Sequence, residues 1–233
     1  MRDASGGGDG IDDVTGRHSD HGGTSLDPRA LEKARSRLRN IDKAIRELDA
    51  GGTFEAFTDA WFSFLTAYKS IYTALEQGAK VSPQSRQWFG SKSSERRADE
   101  LLQYLYQARN DEEHGLENAT KAVPGRATLE IVVPDSLQID LSNVVFDGNT
   151  ARLPNGDMAK VIENIPPHVI LIPVQDRGRN EYRPPTAHLG KSIQDASPLG
   201  VARLAQSYMV RMAYEAEQLI AGDNRASADH KEE

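Results

Sequence analysis

Residues 54 to 75 carry the pattern that most constrains how this chain can fold. Large apolar side chains recur there at every third or fourth position: Phe54, Phe57, Trp61, Phe64, Leu65, Tyr68, Ile71, Tyr72 and Leu75. This spacing is typical of an amphipathic α-helix, and the wide apolar face indicates that other elements cover it on more than one side. Thr53 can cap this helix and Gly78 can end it. The sequence therefore predicts a helical core built around one central helix.

A first helix is predicted just before the central one. Asp27 suits the N-cap position, Pro28 suits the first helical position, and Gly51 ends the pattern. Its apolar stripe is narrow and follows alternating steps of three and four: Leu31, Ala34, Leu38, Ile41, Ile45 and Leu48. A narrow stripe predicts packing against one or two partner helices.

A third helix is predicted after the central one, following a loop over residues 79 to 93 that contains Pro83. Ser93 or Ser94 can cap this helix, and it extends at least to His114. Its inward face is formed by Ala98, Leu101, Leu102, Leu105 and Ala108.

The pattern changes to that of strands after Pro124 and Gly125. Two segments alternate apolar and polar residues, as half-buried strands do: Leu129 to Val133 and Leu137 to Leu141. Two tight turns and a short apolar strand are also predicted: Asp147-Gly148, Asn155-Gly156 and Val169 to Val174. We expect these segments to form a small antiparallel β unit, followed by an irregular stretch from Arg177 to Asp195.

A last helix begins at Pro198, capped by Ser197, and we expect it to return to the first three helices. The predicted fold class is α+β, mainly α: a four-helix bundle with a small antiparallel β unit inserted before the last helix. The predicted segments are a disordered tail (1–25), the helical bundle (26–122), the β-rich insertion (126–195), the C-terminal helix (197–221) and a second disordered tail (222–233).

The composition excludes several classes of site and of localisation. The chain has no cysteine, which excludes disulfides, thiolate zinc sites and cysteine nucleophiles. It has no apolar segment long enough to cross a membrane, and its start lacks the apolar region of a signal peptide, so we predict a cytoplasmic protein. The net charge of −7 argues against general binding of nucleic acids, although the two predicted tails carry most of it.

The best chemical lead is the segment Arg109-Asn110-Asp111-Glu112-Glu113-His114, at the end of the third predicted helix. It resembles the motif of the HEPN superfamily, in which an Arg, a polar residue and, after a few variable positions, a His lie late in a bundle helix. The resemblance implies a helical bundle that binds RNA, often a metal-independent endoribonuclease of a defence or toxin–antitoxin system. It also implies a homodimer, an antitoxin-like protein partner and no cofactor. Arg109, Asn110 and His114 would be the catalytic residues.

The residue types at these positions suit the cleavage of RNA. Asn110 and His114 are four residues apart and therefore share a helix face. RNA supplies its own nucleophile, the 2′-hydroxyl, and a histidine is suited to remove its proton near neutral pH. The guanidinium of Arg109 is suited to hold the phosphate and to stabilise charge that develops on it. This chemistry needs no metal.

A basic segment precedes the motif. Residues 80 to 97 contain five cationic side chains and one acidic one, with two aromatic residues among them. Such a segment can contact a single strand through phosphate pairing and base stacking. The predicted RNA-contacting residues are Arg86, Trp88, Lys92, Arg96 and Arg97.

A non-catalytic interpretation is open alongside this one. Arg109 and Glu113 are four residues apart and can simply form an ion pair on a solvated face. The acidic residues within the motif would repel RNA, and Trp88 is equally suited to close the end of the bundle. The alternative function is a protein–protein interaction module whose helix faces bind a partner.

Overall fold

The structure is a computed structural model, and it describes residues 25–114, 118–130, 142–148, 150–154, 156 and 158–229. These residues form an α+β fold in which helices predominate. Five α-helices are present in this part of the chain: α1 (Pro28–Ala50), α2 (Phe54–Gly78), α3 (Pro83–Ala98), α4 (Glu100–His114) and α5 (Pro198–Asp229). None of them combines the length and the apolar character that a bilayer-spanning helix needs.

The first two helices begin and end where the sequence predicts. The carboxylate of Asp27 accepts the N–H of Arg29, and the hydroxyl of Thr53 accepts the N–H of Ala56, so each helix has a side-chain N-cap. Gly51 and Gly52, both at positive φ, turn the chain between α1 and α2. The two helices then pack along their length, and the central position predicted for α2 is confirmed by its many fully buried aromatic and aliphatic side chains, among them Trp61, Phe64, Tyr68 and Ile71.

The predicted loop over residues 79 to 93 is wrong, because most of it is helical. After a short 3-10 turn (Ala79–Val81), the hydroxyl of Ser82 accepts the N–H of Ser85 and starts α3 at Pro83. This helix is mostly polar, so it lacks the apolar periodicity that marks the others. The predicted third helix is correspondingly divided at Asp99, whose extended backbone separates α3 from α4.

The last helix begins as predicted, with the Ser197 hydroxyl accepting the N–H of Gly200. It continues to Asp229, beyond the predicted end at residue 221, and it packs mainly on α1. At the other end of the chain, residues 1–24 of the predicted disordered tail (1–25) lie outside the described residues. Ser25, which we placed in that tail, is buried, and its hydroxyl donates to the carbonyl of Leu219.

Short strands lie between α4 and α5, and every described pairing is antiparallel, as predicted. The first six strands are β1 (Thr120–Val123), β2 (Arg126–Glu130), β3 (Val145–Asp147), β4 (Thr150–Arg152), β5 (Met158–Ile165) and β6 (His168–Leu171). They form a four-stranded sheet in the order β2-β5-β4-β3 and a separate β1-β6 pair. The predicted turn at Asp147-Gly148 lies between β3 and β4, where Gly148 has a positive φ. The predicted strand from Leu137 to Leu141 and Asn155 of the second predicted turn lie outside the described residues.

The strands that follow depart from the prediction. Val169 to Val174 is not one strand, since β6 ends at Leu171 and β7 (Val174–Gln175) begins after Pro173, which has no N–H for a ladder. The stretch predicted to be irregular contains three more short strands: β8 (Glu181–Tyr182), β9 (Ala187–His188) and β10 (Lys191–Ser192). Segments this short have too few residues for an alternating pattern to show in the sequence.

The polypeptide between α4 and α5 holds α4 along its length. At the start of α4, the carboxylate of Glu100 accepts the N–H and the hydroxyl of Thr186. In the middle, the buried Tyr104 hydroxyl donates to the carbonyl of Ile172. Near the end, the carboxylate of Asp111 accepts the N–H of Gln175. These bonds fix the position of the segment that carries Arg109 and Asn110.

Candidate functional site

Arg109 forms the ion pair that the sequence allowed, but it does not lie on an open surface. Its Nη1 atom is 2.9 Å from Oε2 of Glu113, and only 12% of its side chain is exposed. Its guanidinium also lies over the ring of Phe62, with Cζ 5.0 Å from the ring centroid. Arg109 is therefore held in a cleft between α4 and α2, where a cation interacts with anions more strongly than on an open surface.

Lys69 of α2 connects Arg109 with Asn110. Its Nζ donates to Oδ1 of Asn110 at 2.8 Å and lies 3.6 Å from Oε2 of Glu113. The Asn110 amide nitrogen in turn donates to Gln107. Lys69 thus contacts Asn110 directly and shares the Glu113 carboxylate with Arg109, which the sequence did not indicate.

His114 is the last residue of α4, one helical turn after Asn110. Its side chain lies outside the described part of the structure. The predicted role of His114 therefore stays a prediction.

Lys69, Arg109 and Glu113 line one basic groove, which we define by Lys33, Arg37, Thr66, Lys69, Ser70, Thr73, Arg109 and Glu113. Asn110 lines a separate pocket, which shares Lys69 with the groove. The groove lies between α1, α2 and α4, and it brings together four cationic side chains, three hydroxyl groups and one carboxylate. Arg37 Nε, Thr66 Oγ1 and Arg109 Nε are buried there, and they find no hydrogen-bond partner within the described residues. Such an arrangement favours an anion with several acceptor oxygens.

The groove residues of α1 and α2 were not among the residues predicted from the sequence. One signal was present, since Thr66, Ser70 and Thr73 form a polar stripe at helical spacing on the otherwise apolar α2, with Lys69 beside it. On α1, Lys33 and Arg37 are four residues apart and therefore share a face. Neither pattern shows by itself that the two helices place these faces against Arg109.

Among the predicted RNA-contacting residues, Trp88 and Lys92 have structural roles. Trp88 packs partly buried against the core, and its Nε1 donates to Glu215. Lys92 is only 7% exposed, and its Nζ lies 2.8 Å from a carboxylate oxygen of Glu215 and 3.3 Å from one of Glu95. Their indole and ammonium groups are thus engaged within the protein, as the non-catalytic interpretation of Trp88 expected.

The three arginines of the predicted RNA-contacting segment are placed differently. Arg86 and Arg97 are exposed and bond only locally, to the carbonyl of Lys80 and to the hydroxyl of Ser94. The guanidinium of Arg96 lies over the ring of Tyr106, 3.7 Å from its centroid, and Lys69 lies over the same ring at 5.8 Å. Arg96 is therefore the member of this set that lies beside the basic groove.

The acidic residues of the motif are less repulsive to an anion than the sequence suggests. Glu113 is paired with Arg109, and the carboxylate of Asp111 accepts a backbone N–H. Burial raises the pKa of Glu112 from 4.5 to about 7, although a hydrogen bond from Ala119 N–H and the charge of Arg109 act in the opposite direction. Near pH 7 about half of the Glu112 carboxyl groups are therefore neutral.

Glu112 should make the stability of the protein dependent on pH. Because the folded state keeps this proton to a higher pH than the unfolded chain, the free energy of unfolding should fall as the pH rises from about 4.5 to about 7. We expect a loss of about 2 kcal/mol, less than the full shift would give, because the side chain is only partly buried. In Glu112→Gln this loss should disappear, since the amide oxygen can still accept the Ala119 N–H.

Urea denaturation of both proteins between pH 5 and pH 8 measures this dependence. Glu163→Gln, which replaces an exposed carboxylate on β5, serves as the matched control and should follow the wild type. Equal pH profiles for the wild type and Glu112→Gln would show that Glu112 does not hold a proton in the fold.

No family model, curated protein or solved structure matches the chain. The HEPN resemblance therefore rests on the motif residues Arg109, Asn110 and His114 alone. Within the described residues, no group of three or more His, Asp or Glu side chains is placed to hold a metal ion.

Proposed function

We propose that this chain is a HEPN-like protein that binds single-stranded RNA and cleaves it as a metal-independent endoribonuclease. The observation that carries the proposal is the basic groove, which is lined by four cationic side chains, Lys33, Arg37, Lys69 and Arg109, and by one carboxylate, that of Glu113. The Arg of the family motif thus belongs to a surface with the charge of a phosphate-binding site.

The groove suits the backbone of a nucleic acid strand better than it suits a small neutral ligand. Its four cations lie on three helices, so they form an extended surface and not one point charge. The hydroxyls of Ser70 and Thr73 already donate to the carbonyls of Thr66 and Lys69, whereas the Thr66 hydroxyl has no partner within the described residues and can donate to a phosphate oxygen. An entering phosphate would also compete with Glu113 for Arg109, and it would compensate the repulsion among the remaining cations. RNA binding here should therefore weaken steeply as salt is added.

The proposed cleavage uses the residues of the motif and the RNA itself. His114 removes the proton of a 2′-hydroxyl, the 2′-oxygen forms a bond to the adjacent phosphorus, and the bond from phosphorus to the 5′-oxygen breaks. The products are a 2′,3′-cyclic phosphate and a 5′-hydroxyl end, whose oxygen takes up a proton. Arg109 stabilises the additional negative charge on the phosphoryl oxygens, and Asn110 orients the substrate.

We further propose a homodimer, because one histidine does not easily act as base and as acid in the same turnover. A two-fold axis would place two copies of the motif at one cleft. In this proposal α1, α2, α4 and α5 form the four-helix core, and the strands between α4 and α5 are an insertion. An antitoxin-like protein would bind over the same cleft and block it.

Fluorescence anisotropy with a labelled single-stranded RNA of about twelve nucleotides tests the binding. Arg37→Ala and Lys69→Ala should each weaken binding several-fold, and each should reduce the slope of log Kd against log salt by about 0.7, the value for one phosphate contact on a single strand. Arg39→Ala is the matched control, because Arg39 is also an arginine of α1 but is exposed and does not line the groove.

Two results would contradict the proposal. One is a wild-type protein that binds no RNA at low salt. The other is an equal loss in Arg37→Ala and Arg39→Ala, which would mean that the net charge of the protein matters and the groove does not.

A further inference from the structure

A pocket between α1 and α2 opens directly beside the basic groove. Its volume is about 440 Å³, and its lining includes Asn40, Glu47, Phe62 and Ser63. Three groove residues also line it, namely Arg37, Thr66 and Ser70. The pocket and the groove therefore adjoin each other along these three residues.

Phe62 is the unusual side chain of this pocket. Its neighbours Trp61 and Phe64 are fully buried in the core, whereas 41% of Phe62 is exposed. The guanidinium of Arg109 lies 5.0 Å from its ring centroid, so a ring that lines the pocket also contacts a groove cation. An exposed aromatic ring beside a phosphate-binding cation is the arrangement by which proteins stack unpaired bases.

We propose that this pocket binds an unpaired nucleobase of an RNA strand whose adjacent phosphate lies in the basic groove. The inference rests on the proposed function and adds a second part to the same site. The pocket volume lies in the range of small-ligand sites, about 300–1,000 Å³. Phe62 supplies the stacking surface, while Asn40, Glu47 and Ser63 supply donors and acceptors for the base edge.

Base stacking can be separated from phosphate binding by a strand that has no bases. The experiment measures the affinity of the full chain for a twelve-nucleotide oligouridine and for an abasic strand of the same length and charge. The wild type should bind the oligouridine roughly five- to 150-fold more tightly, which is the contribution of one stacked base. Phe62→Ala should remove most of this preference, and Phe62→Trp should keep it.

The matched control is Phe54→Ala, because Phe54 lies on the same helix, is similarly exposed at 38%, and does not line the pocket. It should keep the preference for bases. If Phe62→Ala keeps the full preference as well, or if the wild type binds both strands equally, the base pocket is overturned while RNA binding stands. If the wild type binds neither strand, the proposed function fails and the inference fails with it.

Discussion

Replacing His114 with alanine is expected to lower the rate of RNA cleavage by roughly 100- to 10,000-fold, the usual contribution of a general acid or base. RNA binding should stay within a few-fold of the wild type, because the proposed phosphate contacts come from Lys33, Arg37, Lys69 and Arg109. Arg109→Ala should behave differently and lower both binding and cleavage. The measurement is single-turnover cleavage of a labelled single strand, with a metal chelator present throughout.

A second histidine provides the control for this comparison. His168 is an exposed residue of β6 whose Nδ1 lies 3.0 Å from the carbonyl oxygen of Pro166, and it does not line the groove. His168→Ala should cleave at the wild-type rate. An unchanged rate in His114→Ala would remove His114 from the mechanism, and a wild-type activity that the chelator abolishes would contradict a metal-independent reaction.

Replacing Asp99 with alanine should produce the largest loss of stability among single polar substitutions, about 3–4 kcal/mol. The carboxylate is almost fully buried and accepts three hydrogen bonds: from Leu102 N–H at 2.9 Å, from Leu189 N–H at 2.6 Å and from the Nδ1 of His188 at 3.0 Å. The first bond caps α4, and the other two hold β9 and the following turn against it. Removal of the Asp99 carboxylate leaves all three donors without an acceptor inside the protein.

A second capping aspartate gives the comparison for Asp99. Asp27 caps α1, but it bonds only to the exposed Arg29, so Asp27→Ala should cost about 1 kcal/mol. Chemical denaturation of both variants measures the difference. A loss in Asp99→Ala no larger than that in Asp27→Ala would show that the contact with His188 and Leu189 contributes nothing to stability.

The parts of the fold that follow from local sequence were predictable. The boundaries of α1 and α2 and the start of α5 were correct because capping residues and apolar periodicity mark them together. The helix α3 was missed because its residues are mostly polar and because only a few of them, such as Ser85 and Lys92, are buried. Its position is set by tertiary contacts, including the bond from Trp88 to Glu215, which no local pattern records.

The candidate site was predictable in its residue types but not in its surroundings. The pairing of Arg109 with Glu113 follows from their spacing on one helix and is confirmed. The burial of Arg109 against Phe62 and the bond from Lys69 to Asn110 join α4 to α2, across about forty residues of chain. Spacing along one helix contains no information about such contacts, so the groove became visible only when the helices were placed together.

Mapping of the RNA footprint by NMR tests the central claim most directly. In a titration of the labelled protein with the twelve-nucleotide strand, the amide signals that shift should belong to the groove segments, which are residues 33–47 of α1, 62–73 of α2 and 106–113 of α4. Arg86 and Arg97, which are exposed and do not line the groove, should be unaffected. Shifts confined to residues 80–97, or the absence of any shift at low salt, would contradict the account.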